Sequence, residues 1–411
     1  MALVTMAQEE GALTVAFDAT PLLGHPTGVG RFCEGALEGL VRRSDVEVSA
    51  YAVSWRRRRG IEARVPPGIS TRQRPMPARP LHAAWRSGGF PPIEWFLGRR
   101  DVVHGSNFVV PPAAHATRVL TVHDLTVVRY PELCDPATLV FPKLVRRALA
   151  NGAWVHTPSQ FVADEVVLHF GADPGRVRAV HHGIPRADDS ADHADHPDHD
   201  DHPDHGPARC EGQLLGRPPL QLPDGCERYV VAVGTIEPRK DYPLLVSAFN
   251  QMAADYPGVA LVIIGGRGWG SKALDDAVAA SPVASRVLRP GYVDAPIVDA
   301  AIAGAALLAF PSVYEGFGFP PLQAMSMGVP VVATASGAVP EVVADGAALV
   351  EPGDADALAK SMAALLDGGV DVETLVDRGL RRSRDFTWER CAEGLVALYR
   401  DALDDAGTGR L

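Results

Sequence analysis

Short apolar, β-branched runs alternate with helical stretches along almost the whole chain. No other feature restricts the fold as much. LTVAF, VEVSAYAV, DVVHG, RVLTVHD, AWVHTPS and RVRAVHHG read as strands in the first half, and YVVAVG, ALVIIGG, RVLRPGYV, AALLAFPS, VPVVAT and AALV in the second. Between them lie helical segments such as GRFCEGALEGLV, FVADEVVLHF, YPLLVSAFNQMAADY and DADALAKSMAALLD. Continuously apolar strands separated by helices imply parallel sheets covered on both faces. A chain of 411 residues exceeds one ordinary core. The expected fold is therefore α/β, with two doubly wound Rossmann-like domains.

One stretch breaks the alternation. Residues 187–207 read ADDSADHADHPDHDDHPDHGP, Asp/His/Pro low complexity with no apolar face to pack. It reads as a surface insertion at or beside the interdomain linker. His193, His196, His199, His202 and His205 recur every third residue. A transition-metal site is one reading, because imidazole is a common ligand. The other is a solvated acidic tether, and it is preferred here, because the intervening prolines prevent an α-helix from gathering the rings on one face.

Charge is unevenly spread over the net −11. Residues 1–186 carry 22 Lys+Arg and 16 Asp+Glu, a balance of +6, while 187–411 carry 17 and 34, a balance of −17. A basic half on an acidic protein suits an anionic partner such as a phospholipid surface or a phosphorylated acceptor. Residues 79–100, RPLHAAWRSGGFPPIEWFLGRR, mix Trp85, Phe90, Trp95 and Phe96 with Arg79, Arg86, Arg99 and Arg100. That mixture suits either a membrane interface or a buried helix with a basic rim. Nothing points to nucleic acid. No apolar run approaches the roughly 20 residues that span a bilayer. The start, MALVTMAQEEGALTVAF, has acids where an export signal has a basic region. Five scattered cysteines fit a reducing cytosol. A cytoplasmic protein is expected, in peripheral contact with the inner face of the membrane if the basic half docks there.

Four segments sit where ligands meet parallel sheets. In DATPLLGHPTGVGRF, Gly24, Gly28 and Gly30 lie between a strand and a helix, a standard place for phosphate to meet backbone N–H groups. TVHDLTVVRYPE puts His123 and Asp124 at a strand end, suited to orienting a sugar hydroxyl or stabilising developing positive charge. VAVGTIEPRKDYPLLVSAF puts Arg239 and Lys240 after a strand and before a helix, suited to a diphosphate. In YEGFGFPPLQ, Gly316 and Gly318 allow close backbone approach, Pro320 and Pro321 open a helix, and Glu315 accepts from hydroxyls. Gln323 falls in the first turns of that helix.

Together these segments resemble the family 4 retaining glycosyltransferases of GT-B fold, in particular bacterial surface-polysaccharide mannosyltransferases. TGVGRF, HGSNFVVPP, VHDLTVVRYPE, HTPSQF, GTIEPRK, GYVD, YEGFGFPPLQAMSMGVPVVAT, VPEVV and FTWERCAEGLVALYRDAL fall in the family's order. The resemblance implies an acceptor-binding domain over 1–186, an insertion and linker over 187–227, a nucleotide-sugar domain over 228–385 and a helix over 386–411 returning to the first domain. It matches Arg239 and Lys240 to the diphosphate, Glu315 to the donor sugar, and Gly316, Phe317 and Gly318 to sugar and phosphate. His123 matches the donor-sugar histidine, and Gly28, with Gly30, the loop near the diphosphate. Tyr292 and Val293 fall where the base is held, and Gln323 at the ribose, where the family has a second acid. Thr235 stands where many members carry a further arginine. No cofactor or metal is implied, because cations and helix-start amides stabilise the leaving diphosphate. The implied partners are a GDP- or UDP-linked donor, GDP-mannose first, and a glycan or polyprenyl-linked acceptor. A nucleotide-sugar epimerase and a non-catalytic binder whose site has decayed stand as alternatives.

Overall fold

Each apolar run becomes a strand, the central ones buried along most of their length, and the segments between them pack as helices. The computed structural model describes residues 12–24, 27–55, 58–72, 74–87, 89–185, 220–368 and 371–408. The His/Asp-rich stretch, with the metal and tether readings attached to it, lies outside the described residues. The chain divides into two compact units, residues 1–183 with 386–411, and residues 184–385.

The first unit holds β1 (Leu13–Asp18), β2 (Val46–Tyr51), β3 (Ser70–Arg72), β4 (Val102–Gly105), β5 (Thr117–Thr121), β6 (Trp154–Thr157) and β7 (Val177–Ala179). Their order is β3-β2-β1-β4-β5-β6-β7, all parallel. Its helices are α1 (Gly28–Val41), α2 (Ala78–Ser87), α3 (Glu94–Leu97), α4 (Thr126–Arg129), α5 (Phe141–Ala150) and α6 (Gln160–Phe170).

The second unit holds β8 (Arg228–Val233), β9 (Val259–Ile264), β10 (Val287–Gly291), β11 (Leu307–Phe310), β12 (Val331–Thr334) and β13 (Ala348–Val350). Their order is β10-β9-β8-β11-β12-β13, again all parallel. Its helices are α7 (Tyr242–Met252), α8 (Ser271–Ala279), α9 (Ala295–Ala303), α10 (Phe319–Ser326), α11 (Val339–Val343), α12 (Ala355–Asp367) and α13 (Val372–Ser383). Val230, Leu261 and Phe249 anchor its core without measurable exposure. In both sheets the strand order reverses once, between β1 and β4 and between β8 and β11. Loops diverge at such a point and leave a crevice at the carboxyl ends of the strands.

The last helix, α14 (Trp388–Thr408), belongs to the first unit and packs on α1. Two glycines one turn apart make the contact possible. A Cβ on Gly35 would stand 1.9 Å from the Trp388 ring, and one on Gly39 2.3 Å from the Trp388 carbonyl oxygen. Edge strand β3 is the one strand that the apolar pattern does not announce. Its Ser-Thr-Arg sequence has no buried residue, so neither periodicity nor hydrophobicity marks it.

Candidate active site

The charged cluster of the second unit forms at the crossover between β8 and β11. After β8 the chain turns through a short 3-10 helix, Pro238–Lys240, and Asp241 caps α7 by accepting from the Leu244 amide at 3.4 Å. After β11 it runs through Ser312 to Gly318, the left-handed residue that opens α10. Two backbone-mediated contacts strap these segments together. The Val313 amide donates to the Arg239 carbonyl at 2.8 Å, and Arg239 Nη1 donates to the Tyr314 carbonyl at 3.0 Å.

Arg239 and Lys240 both converge on Glu315. Lys240 Nζ lies 2.6 Å from Glu315 Oε1 and Arg239 Nη1 2.6 Å from Oε2. Arg239 Nη2 also pairs with Glu237 at 2.5 Å, so two cations face two carboxylates. The Phe310 ring lies below the ammonium, 5.0 Å from Nζ to the centroid. Lys240 and Glu315 are buried. Burial alone would raise the Glu315 carboxyl, but Arg239 and Lys240 outweigh it and hold the group at about 2. The ammonium of Lys240 moves down instead, because burial, helped by the neighbouring Arg239, outweighs the pull of Glu315 and Glu237. The sequence suggests two cations projecting into a crevice; in the folded chain they are held by an acid 75 residues further on.

Gly337 fixes the Glu315 backbone. It has φ of +58°, and a Cβ there would stand 2.2 Å from the Glu315 carbonyl oxygen, which accepts from the Ala338 amide at 2.8 Å. Gly316, Phe317 and Gly318 lead into α10, with Phe317 edge-on to Phe319 at 5.2 Å. The first turn of α10 contains Pro320 and Pro321, so it needs fewer amide partners and directs the rest beyond the helix. Gln323 is buried in the next turn, where its side-chain amide donates to the Asp299 carboxylate of α9. The Asp299 carboxylate of α9 therefore stands beside the Gln323 amide. Tyr292 and Val293 follow β10 at the same end of the sheet. Tyr292 is 48% exposed, and its Cβ is 3.9 Å from a Cβ built on Gly266, in the loop after β9.

His123, Gly28 and Gly30 belong to the first unit, where Phe32 of α1 links the glycine turn to the His123 ring. Thr27 caps α1 by accepting from the Gly30 amide at 3.3 Å, and Phe32 in that first turn meets the His123 ring at 5.3 Å. His123 Nε2 is 2.8 Å from the Ser106 carbonyl. That carbonyl requires the ring to donate from Nε2, which leaves Nδ1 as an acceptor. Burial lowers the ring to about 4, so it is neutral at pH 7 and suited to a hydroxyl rather than to a positive charge. Behind it His104, His156 and His182 are buried around Phe32. His104 contacts Tyr399 Oη at 2.6 Å and Thr121 at 2.7 Å, and His156 reaches Thr121 at 3.0 Å and the Val180 carbonyl at 3.0 Å.

Sequence reasoning missed Glu237, Asp299 and Gly337. Glu237 was visible inside GTIEPRK, where the acid beside two cations announces an ion pair. Asp299 and Gly337 carry no local signal, since each acts on a residue more than twenty positions away. Among the described residues, no three His, Cys, Asp or Glu side chains are placed to hold a metal ion.

Two families match the chain in sequence. Residues 26–188 match the family described as Glycosyltransferase Family 4, and residues 227–368 that described as Glycosyl transferases group 1. The chain is 28% identical over 305 residues to the O-antigen chain mannosyltransferase B of Escherichia coli, covering 73% of this chain and 74% of that one. In structure it is similar to sucrose-phosphate synthase from Thermosynechococcus elongatus, with a TM-score of 0.68 and 19% identity over 96% of this chain and 100% of that one. It is also similar to Anabaena Alr3699/HepE, solved in complex with UDP-glucose, with a TM-score of 0.64 and 18% identity over 96% and 100%. The chain belongs to the family 4 glycosyltransferases and has the GT-B fold.

Proposed function

From this place among the family 4 glycosyltransferases, we propose that the chain moves a hexose, mannose from GDP-mannose as first choice, to a glycan or polyprenyl-linked acceptor with retention at the anomeric carbon. The observation that carries the reading is the convergence of Arg239, Lys240 and Glu315 at the strand crossover of the group 1 domain. The 28% identity to an O-antigen chain mannosyltransferase supports mannose. A UDP-linked sugar is the second reading, supported by the similar Anabaena protein solved with UDP-glucose.

The mechanism follows from where charge develops. The bond from the anomeric carbon to the diphosphate breaks, and the diphosphate keeps the electron pair. Arg239, Lys240 and the amides before α10 face that growing charge without having to move into place. The acceptor oxygen attacks from the face the diphosphate leaves, and its proton passes to a phosphate oxygen. Glu315 accepts from hexose hydroxyls and holds both cations in position until the diphosphate arrives. His123 Nδ1 accepts from a further sugar hydroxyl. Gln323 and Asp299 hold the ribose between them, and Tyr292 and Val293 hold the base.

Calorimetry on Lys240→Ala and Arg239→Ala tests the assignment. Both variants should bind the nucleoside diphosphate at least tenfold more weakly and the nucleoside nearly as well as wild type. Equal losses for the two ligands would place these residues at the base or merely in the fold.

A further inference from the structure

We propose that a pocket in the first unit, between the start of β5, the connection from β4 to β5 and the end of α5, takes the phosphate of an anionic lipid headgroup, with Phe90 and Trp95 as apolar anchors beside it. The pocket holds about 290 Å³ and is lined by Trp85, Val110, Pro112, Arg118, Leu144 and Arg147 among others. Its two guanidiniums come from separate elements, Arg118 from the start of β5 and Arg147 from the last turn of α5. Arg118 Nη2 donates to the Asn151 carbonyl just after α5, which uses one of five N–H groups. The Arg147 guanidinium lies over Gly89, where an added Cβ would stand 3.9 Å from Nη2. The neighbouring acid, Glu94, accepts from the Ala114, His115 and Ala116 amides at 2.9, 2.9 and 3.1 Å, so backbone dipoles already offset its charge.

Phe90 and Trp95 distinguish a lipid surface from a soluble anion. They are 57% and 59% exposed and pack edge-on at 4.8 Å. Their loop is ordered by three bonds: Trp85 Nε1 to the Pro91 carbonyl at 2.9 Å, the Ile93 amide to the Pro112 carbonyl at 2.8 Å, and Arg74 Nη1 to the Trp95 carbonyl at 2.7 Å. Two exposed aromatics held beside a basic pocket add nothing to the capture of a small anion. At a bilayer surface the rings enter the headgroup layer while the guanidiniums meet phosphate. The +6 balance of residues 1–186 has the sign that such a surface attracts. Arg118 and Asn151 sit at the amino ends of β5 and β6, whereas His123 and Ser106 follow the carboxyl ends of β5 and β4, and neither of these two lines the pocket.

Sedimentation of the full-length protein with vesicles tests the assignment. Vesicles containing phosphatidylglycerol should carry the protein down, and vesicles of phosphatidylcholine alone should not. Phe90→Ser combined with Trp95→Ser should weaken binding roughly tenfold. Arg118→Gln and Arg147→Gln should each weaken it roughly fivefold, with Arg147→Lys retaining most of it. Near-ultraviolet circular dichroism like that of wild type shows that each variant is folded. Excess glycerol phosphate at matched ionic strength, which can fill the pocket but cannot replace the aromatic anchors, should weaken vesicle binding no more than Arg118→Gln does. Complete release by glycerol phosphate would make the pocket a soluble anion site. Equal binding to both vesicle types, unchanged binding by all variants, or sedimentation velocity showing Phe90 and Trp95 joining two copies would each overturn the proposal.

Discussion

Replacing Glu315 by Gln keeps the shape of the side chain and removes its charge, and the cluster around it sets opposite expectations for binding and turnover. The carboxyl is held at about 2 against an ordinary 4.5. Its ionised form is thus favoured in the folded state by about 3 kcal/mol. Because the shift is downward, this stabilisation is present above pH 4.5 and drains away as pH falls toward 2. The variant lacks it at every pH, so its melting temperature at pH 7 should drop by roughly 6–12 °C for a unit of this size. Two cations now face two acids; without Glu315 they face Glu237 alone. The excess positive charge should tighten free nucleoside diphosphate by roughly 1–2 kcal/mol, or about 5- to 30-fold. Turnover should fall more than about a hundredfold, because in the proposed mechanism Glu315 orients the hexose in the transition state. Calorimetric titration and steady-state kinetics on one preparation decide the matter. A folded variant that binds the diphosphate more weakly than wild type, or that turns over normally, refutes the reasoning.

Gln323→Glu alone sets a second carboxylate against Asp299, and should weaken the donor by roughly 1–2 kcal/mol. Adding Asp299→Asn should restore affinity, and a calorimetric double-mutant cycle measures the coupling. Turnover should persist in excess chelator, since in the proposed mechanism Arg239 and Lys240 stabilise the leaving group; loss of rate restored by a divalent ion would overturn that step. Acid should destabilise the first unit between pH 6.5 and about 3. Burial holds the His156 ring at about 3, a downward shift for a base, so its contribution of about 5 kcal/mol is present above 6.5 and lost as pH falls. Asp18, pushed up to about 6 by burial, opposes this by about 3 kcal/mol between pH 6 and 3.8. His104 and His182 shift in the same direction as His156, so the histidines prevail. Melting temperatures that stay flat from pH 7 to pH 4 would contradict this.

The strands were legible because a strand covered on both faces must be apolar along its whole length, as β9, VALVII, shows. Edge strand β3 escaped because its three residues are polar and none is buried, so no apolar pattern marks it. The α1–α14 contact was hidden for a different reason. Gly35 and Gly39 read locally as poor helix formers, and only Trp388, some 350 residues later, explains them. In the candidate site, Arg239, Lys240 and Glu315 were each visible by type and by position after a strand. Their mutual pairing was not, since it depends on β8 and β11 lying side by side. The Gln323–Asp299 contact likewise needs α9 and α10 to be neighbours.

Slow hydrolysis of nucleotide sugars in the absence of acceptor tests the central claim most directly. The protein is incubated in chelator with GDP-mannose, UDP-glucose and other nucleotide sugars, and release of nucleoside diphosphate is followed. The account predicts release from one donor, GDP-mannose first, with the free sugar retaining its anomeric configuration and Lys240→Ala abolishing the signal. Tight binding of a nucleotide sugar with no release, or an altered sugar in place of the original one, would contradict it.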